Sequence, residues 1–250
     1  MKDLLAIVLR IFYADMVKEN KDSSTGLLCL ARHPIGHGIA VSNAEFLSLR
    51  HKRDLGVTSS EMMRFLKKSA HLALCYSGFA VSHRIEEYIG AGRAAFLCCA
   101  YDVITDWRSF DSASGDKFEN MLEAYADSTL KDLAIQLYEK DRDNSLDDNG
   151  LERGSIALRF VTEMMEVRVR LEDKGVDIDA TGRLLQLVDD ILDLEDDAKA
   201  GEANCLLSPR RNSYLQELIT ADIERHFDPG SVLNLMIEKA RRKAERLLRC

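Results

Sequence analysis

Apolar residues recur along most of the chain at three- and four-residue spacing, the period of an amphipathic helix, while the alternation expected of a strand is sparse. The pattern predicts helices over Lys2 to Lys18, Ser42 to Leu55, Ser59 to Ala80, His83 to Asp106, Asp116 to Lys140, Leu151 to Asp173, Asp179 to Ala200, Arg211 to His226 and Pro229 to Leu248. Ser59 and Asp179 stand where N-caps belong. The polar stretches GVTSS, DSASGD and DRDNSLDDNG mark connections. With three prolines, no solenoid repeat and no linker long enough to part domains, the expectation is an all-α chain, a single bundle around a central cavity.

One stretch breaks the pattern. Between Ser23 and Ile39, Pro34, Gly36 and Gly38 argue against a helix, so His33 and His37 read as polar residues of a turn rather than as zinc ligands.

The helix expected from Asp179 carries the most informative feature. Leu184, Leu185, Leu187, Val188, Ile191, Leu192 and Leu194 form an apolar stripe, and beside it Asp189, Asp193 and Asp197 recur every fourth residue. Residues so spaced are neighbours on a helix surface, where like charges repel. A divalent cation relieves that repulsion, and hard carboxylate oxygens suit Mg²⁺ or Mn²⁺. A second pair, Asp102 and Asp106, follows the apolar run Ala94 to Tyr101. Carboxylates on otherwise apolar helices need a polar cavity or a metal to offset their burial. Each pair alone reads as a solvated helix face; together they read as a metal site.

Around these motifs the chain resembles the class I isoprenoid synthases, most closely the squalene/phytoene synthase-like and related terpene synthase branches. The string LQLVDDILDLEDD resembles their second acidic motif, and GEANCLL the Gly-Glu-x-Asn stretch that follows it. The resemblance covers roughly Ala94 to Leu207. It implies an isoprenoid-synthase-type helical bundle around a central active-site cavity, with residues 1–58 as peripheral N-terminal helices and an irregular loop and 59–250 as the catalytic bundle. It further implies that Asp102, Asp106, Asp189, Asp193 and Asp197 hold a trio of Mg²⁺ ions, with Mn²⁺ an alternative. Gln186, one turn before Asp189, fits the same motif. Cys98 and Cys99 stand where the family usually has an Arg, Leu192 where an Arg commonly precedes the middle Asp, and the interval between the motifs is short.

The activity implied is ionisation of a linear prenyl diphosphate of farnesyl or geranylgeranyl length or longer. Pyrophosphate departs and the carbocation cyclises or rearranges. Head-to-head condensation of two prenyl diphosphates is the nearest alternative, and a non-catalytic helical binding protein of the same fold is the alternative of another class. The departing diphosphate needs cationic partners, for which Lys199, Arg210 and Arg211 are placed near the second motif, with Arg108 and Arg153 further off. The cation needs a dry aromatic pocket, and Tyr76, Phe79, Phe96, Tyr101 and Phe160 lie in segments expected to surround it, although most such rings serve packing.

A net charge of −8 excludes the basic footprint of a nucleic-acid binder. The basic residues Arg241, Arg242, Lys243, Arg246 and Arg249 alternate with Glu238 and Glu245, as on a salt-bridged C-terminal helix; a lid over the diphosphate and a weak membrane-surface contact are the alternatives. Six cysteines without zinc or redox spacing read as reduced residues of a cytoplasmic protein. The apolar N-terminal stretch MKDLLAIVLRIFYADM is interrupted by charge and is expected neither as a signal peptide nor as a membrane span, but as a segment that packs on the bundle or on a second subunit of a homodimer.

Overall fold

Capping residues and helix-favouring runs divide the chain into helices at short intervals. A computed structural model describes residues 33–105, 112–142, 148–201, 204–223, 225, 227 and 231–249. These form α1 (Pro34–Arg50), α2 (Lys52–Leu55), α3 (Ser59–Ser77), α4 (Ile85–Thr105), α5 (Ser112–Glu123), α6 (Ser128–Arg142), α7 (Asp148–Met164), α8 (Arg168–Asp173), α9 (Ile178–Ala200), α10 (Arg211–Thr220) and α11 (Val232–Arg249), with a 3₁₀ turn at Cys205–Leu207. The described residues include no strand, so the all-α expectation holds. None of their helices is long and apolar enough to cross a membrane. The helix expected at Lys2 to Lys18 lies outside the described residues.

Several boundaries differ from expectation for local reasons. Pro34 does not forbid a helix but opens one, because at the first position its missing N–H costs nothing. Gly36 is needed inside that helix, since a Cβ there would strike the Tyr88 ring. Thr58, not Ser59, caps α3: its hydroxyl accepts from the Glu61 N–H and the Glu61 carboxylate accepts from the Thr58 N–H. Asp177, not Asp179, caps α9. Asp179 instead makes a two-pronged ion pair with Arg159 of α7. The expected connection DSASGD is largely the first turn of α5. Two long expected helices break in the middle. One breaks before α6, where Asp127 accepts from the Leu130 N–H at 3.0 Å; the other breaks at Glu166, whose φ is +55°. The helix expected to His226 ends at Thr220.

The chain divides into two compact units, Met1–Ala124 with Pro229–Leu233, and Tyr125–Asp228 with Asn234–Cys250. In the first, α1, α3 and α4 pack pairwise. Small residues let them approach: Ala40 and Ala44 of α1 and Ala91, Ala94 and Ala95 of α4 are wholly buried, and a Cβ on Gly92 would collide with the Ala40 carbonyl. Glu87 is also wholly buried and accepts from the N–H groups of Val81, Ser82 and His83 at 2.9, 3.0 and 3.1 Å, which fixes the turn between α3 and α4.

In the second unit α7 packs along both α6 and α9. The crossing of α7 and α9 is made at Gly154 and Gly182, each with its Cα against the other's backbone so that neither tolerates a Cβ. Arg241 of α11 donates to the carbonyls of Leu218 and Ala221, and Lys243 donates to the Leu192 carbonyl of α9 at 3.0 Å.

Candidate functional site

The acidic helix α9 is positioned by its apolar stripe, of which Leu184, Leu187, Val188 and Ile191 are buried in the second unit. That leaves Asp189 and Asp193 exposed and Asp197 half-buried along the opposite edge. The helix ends at Gly201 with φ +73°, a left-handed conformation that glycine adopts freely. The chain then returns through Asn204, whose amide donates to the Asp197 carboxylate and to the Asp190 carbonyl, both at 2.7 Å.

Asp190 is the carboxylate that the acidic ladder did not point to. It is buried; one oxygen accepts from the Gln186 amide at 2.9 Å and the other from the Cys205 N–H at 2.8 Å. The signal was present in the sequence, because Asp190 follows the stripe residues Leu187 and Val188 and so falls on the inward face. Gln186, expected at the substrate, therefore contacts Asp190. Burial first, and then the Asp190 charge, push the Cys205 thiol far above its ordinary value.

The first motif lies in the other unit, on the last turn of α4. Asp102 is partly exposed and forms an ion pair at 2.5 Å with Lys68 of α3. One turn earlier on α4, Cys98 shares a hydrogen bond with Tyr76 of α3. Burial pushes the Cys98 thiol up to about 12, with the Asp102 charge adding to the effect. Burial and then Cys98 likewise raise the Tyr76 hydroxyl well above its usual range. Lys68, Tyr76, Cys98 and Asp102 thus make one polar seam between α3 and α4, and Lys68 is a cation that the sequence pattern did not single out. Asp106, the other carboxylate of the first motif, and Arg108 lie outside the described residues.

Among the basic candidates, Lys199 is exposed and pairs with Asp196 at 3.2 Å. Arg210 lies over the Tyr214 ring at 5.2 Å, and Arg153 donates to the Gly150 carbonyl at 3.2 Å. Arg211 differs: its Nε is buried with no hydrogen-bond acceptor among the described residues. The C-terminal helix carries an Arg242–Glu238 pair at 3.1 Å, as a salt-bridged helix should.

Of the aromatic candidates, Phe96 is wholly buried against Phe65, and Phe79 is buried in the same unit. Tyr101 meets the Phe118 ring edge-on at 5.8 Å between centroids. Phe160 is buried in the second unit. Cys98, Cys99 and Cys205 are thiols outside any disulfide.

The donor set suits a hard cation: Asp189 and Asp193 present carboxylate oxygens at the surface, one helical turn apart. Among the described residues no three His, Cys, Asp or Glu side chains already converge as a ligand group. No family model, curated protein or solved structure matches the chain.

Proposed function

We propose that this chain is a Mg²⁺-dependent class I terpene synthase. It would ionise a linear prenyl diphosphate of farnesyl or geranylgeranyl length or longer, release pyrophosphate and let the carbocation cyclise or rearrange within an isoprenoid-synthase-type cavity. The observation that carries this reading is the split on α9, where Asp190 serves the fold while Asp189 and Asp193 are exposed one turn apart beside the packed apolar stripe. Like charges one helical turn apart repel, and a divalent cation bound by both carboxylates would relieve that repulsion.

In this reading Asp189, Asp193 and Asp197, with Asp102 and Asp106, hold Mg²⁺. Mg²⁺ held by these carboxylates would supply charge neutralisation for the departing pyrophosphate. Arg211, whose Nε is buried with no acceptor among the described residues, would donate to the diphosphate. Asn204 orients the Asp197 carboxylate through its amide. Lys68 compensates Asp102 and stands ready to pair with the diphosphate instead.

Lys68 also favours a second reading. The condensing branch of the resembled family uses a cation beside its first acidic motif, and Lys68 provides one from α3 where α4 offers only Cys98 and Cys99. The test separates these readings. Purified protein is incubated with geranyl, farnesyl and geranylgeranyl diphosphates, with Mg²⁺ or with EDTA, and pyrophosphate and extracted products are measured. A cyclic hydrocarbon or alcohol supports the synthase, and a doubled chain supports condensation. No Mg²⁺-dependent pyrophosphate release from any of them would leave a binding protein.

A further inference from the structure

Helix α1 is apolar on two opposite faces. Gly36, His37, Ala40, Val41, Ala44 and Leu47 are buried on one. On the other, Ile35, Phe46 and Leu49 are 79%, 62% and 55% exposed, with Ile39 half-buried between them. Ile85 at the start of α4, 58% exposed, lines a shallow pocket together with Ile35 and Ile39, so it extends the same surface. A helix hydrophobic on both sides is built to be covered on both sides.

Ile35, Ile39, Ser42, Phe46 and Leu49 alternate by four and three residues, which lays them in one stripe able to pack along a second helix. The stripe is nearly, though not strictly, symmetric about Ser42: Ile35 and Leu49 lie seven residues to either side, Ile39 three and Phe46 four. An antiparallel copy placed there sets Ile35 against Leu49 of the partner subunit and brings Ile39 within one residue of the level of Phe46 of the partner subunit, with the small Ser42 at the axis. Charge agrees with that direction. Arg50 and Arg53 are exposed at the C-terminal end of the stripe and outnumber the one exposed acid there, Asp54; Glu86 is exposed beside Ile85 at the other end, where Arg84 is drawn to Glu87 at 3.6 Å.

We propose that two copies of this chain pair through the exposed face of α1, antiparallel about a two-fold axis at Ser42. The inference is independent of the catalytic reading.

Sedimentation velocity on the full chain, from micromolar to hundred-micromolar concentration, tests it. The expected result is a mass that doubles with concentration, and a dissociation constant weakened at least about tenfold by Phe46→Glu. Phe46 is exposed, so this substitution leaves the buried face of α1 intact, and an unchanged helical circular dichroism spectrum verifies that. Ser42→Cys should give a disulfide-linked dimer on mild oxidation under conditions where the unsubstituted chain does not. Ile35→Cys should not, because antiparallel pairing holds those positions at opposite ends. Three outcomes would overturn the proposal: a monomer throughout, a dimer indifferent to Phe46→Glu, or cross-linking through Ile35→Cys and not Ser42→Cys. A monomer whose own melting temperature falls with Phe46→Glu would show instead that another part of the chain covers the stripe.

Discussion

At Asp190 a carboxylate is buried with both oxygens hydrogen-bonded, whereas Asp189 and Asp193 stand exposed on the same helix. The difference is one of helical phase, and it gives the two kinds of aspartate opposite mutational signatures. Asp190→Ala strands the Gln186 amide and the Cys205 N–H and should cost about 2–3 kcal/mol of stability. Asp193→Asn should change stability by less than about 0.5 kcal/mol, as is usual at a surface position, while abolishing Mg²⁺-dependent pyrophosphate release. Urea denaturation beside a turnover assay checks both; wild-type turnover in Asp193→Asn would remove α9 from the chemistry. Cys98 carries a pH signature. Its thiol titrates near 9 when the chain is unfolded and at about 12 in the folded protein, so the folded state keeps the proton longer. The stability it contributes is complete below pH 9 and is lost as pH rises from there through about 12. Urea midpoints measured across that range should fall with pH, and less steeply in Cys98→Ala.

The contact of α7 with α9 sets where the acidic ladder stands, and it depends on two glycines. A Cβ at Gly154 or Gly182 would enter the backbone of the facing helix, which has no side-chain freedom with which to yield. Gly182→Ala should therefore destabilise by about 1–3 kcal/mol, lowering the melting temperature by roughly 2–4 °C per kcal/mol, and should impair turnover beyond the loss of folded protein. Calorimetry and specific activity of the folded fraction are the measurements; a melting temperature unchanged from wild type would refute the tight crossing. Elements like α9 were legible from the sequence because periodicity reports which face is buried, and Leu187, Val188 and Ile191 lie there as expected. Breaks were less legible. The turns before α6 and after α7 depend on single residues, Asp127 and Glu166, whose conformations carry no periodic signal. Pro34 and Gly36 were misleading for a related reason: their effect depends on position within the helix and on the Tyr88 ring, a neighbour distant in sequence. Of the site, sequence spacing revealed Asp189, Asp193 and Asp197 on one helix; it could not reveal Lys68 against Asp102, which depends on how α3 meets α4.

At the scale of the whole molecule, the two acidic motifs belong to different compact units, Asp102 to one and Asp189, Asp193 and Asp197 to the other. In the proposed reaction both sets of carboxylates serve the diphosphate, so a substitution in either set should weaken its binding. Linkage then makes a thermal prediction. A ligand that binds only the folded protein stabilises it by about 2.7 kcal/mol at a hundred times its dissociation constant, roughly 5–10 °C for a chain of this size. Mg²⁺ with pyrophosphate should raise the melting temperature by that order, and neither component should do so alone. Asp193→Asn and Asp102→Asn should each abolish most of the rise, although they alter different units. A shift lost in Asp193→Asn but retained in Asp102→Asn would confine anion binding to α9 and leave the Lys68–Asp102 pair a feature of the fold. Asp102→Asn has its own internal control, because an amide cannot balance the Lys68 charge that the carboxylate balances now. If Lys68 turns to the diphosphate during binding, Lys68→Met should weaken the thermal shift while leaving the melting temperature of the free protein nearly unchanged, since a half-exposed ion pair contributes only about 0–1 kcal/mol.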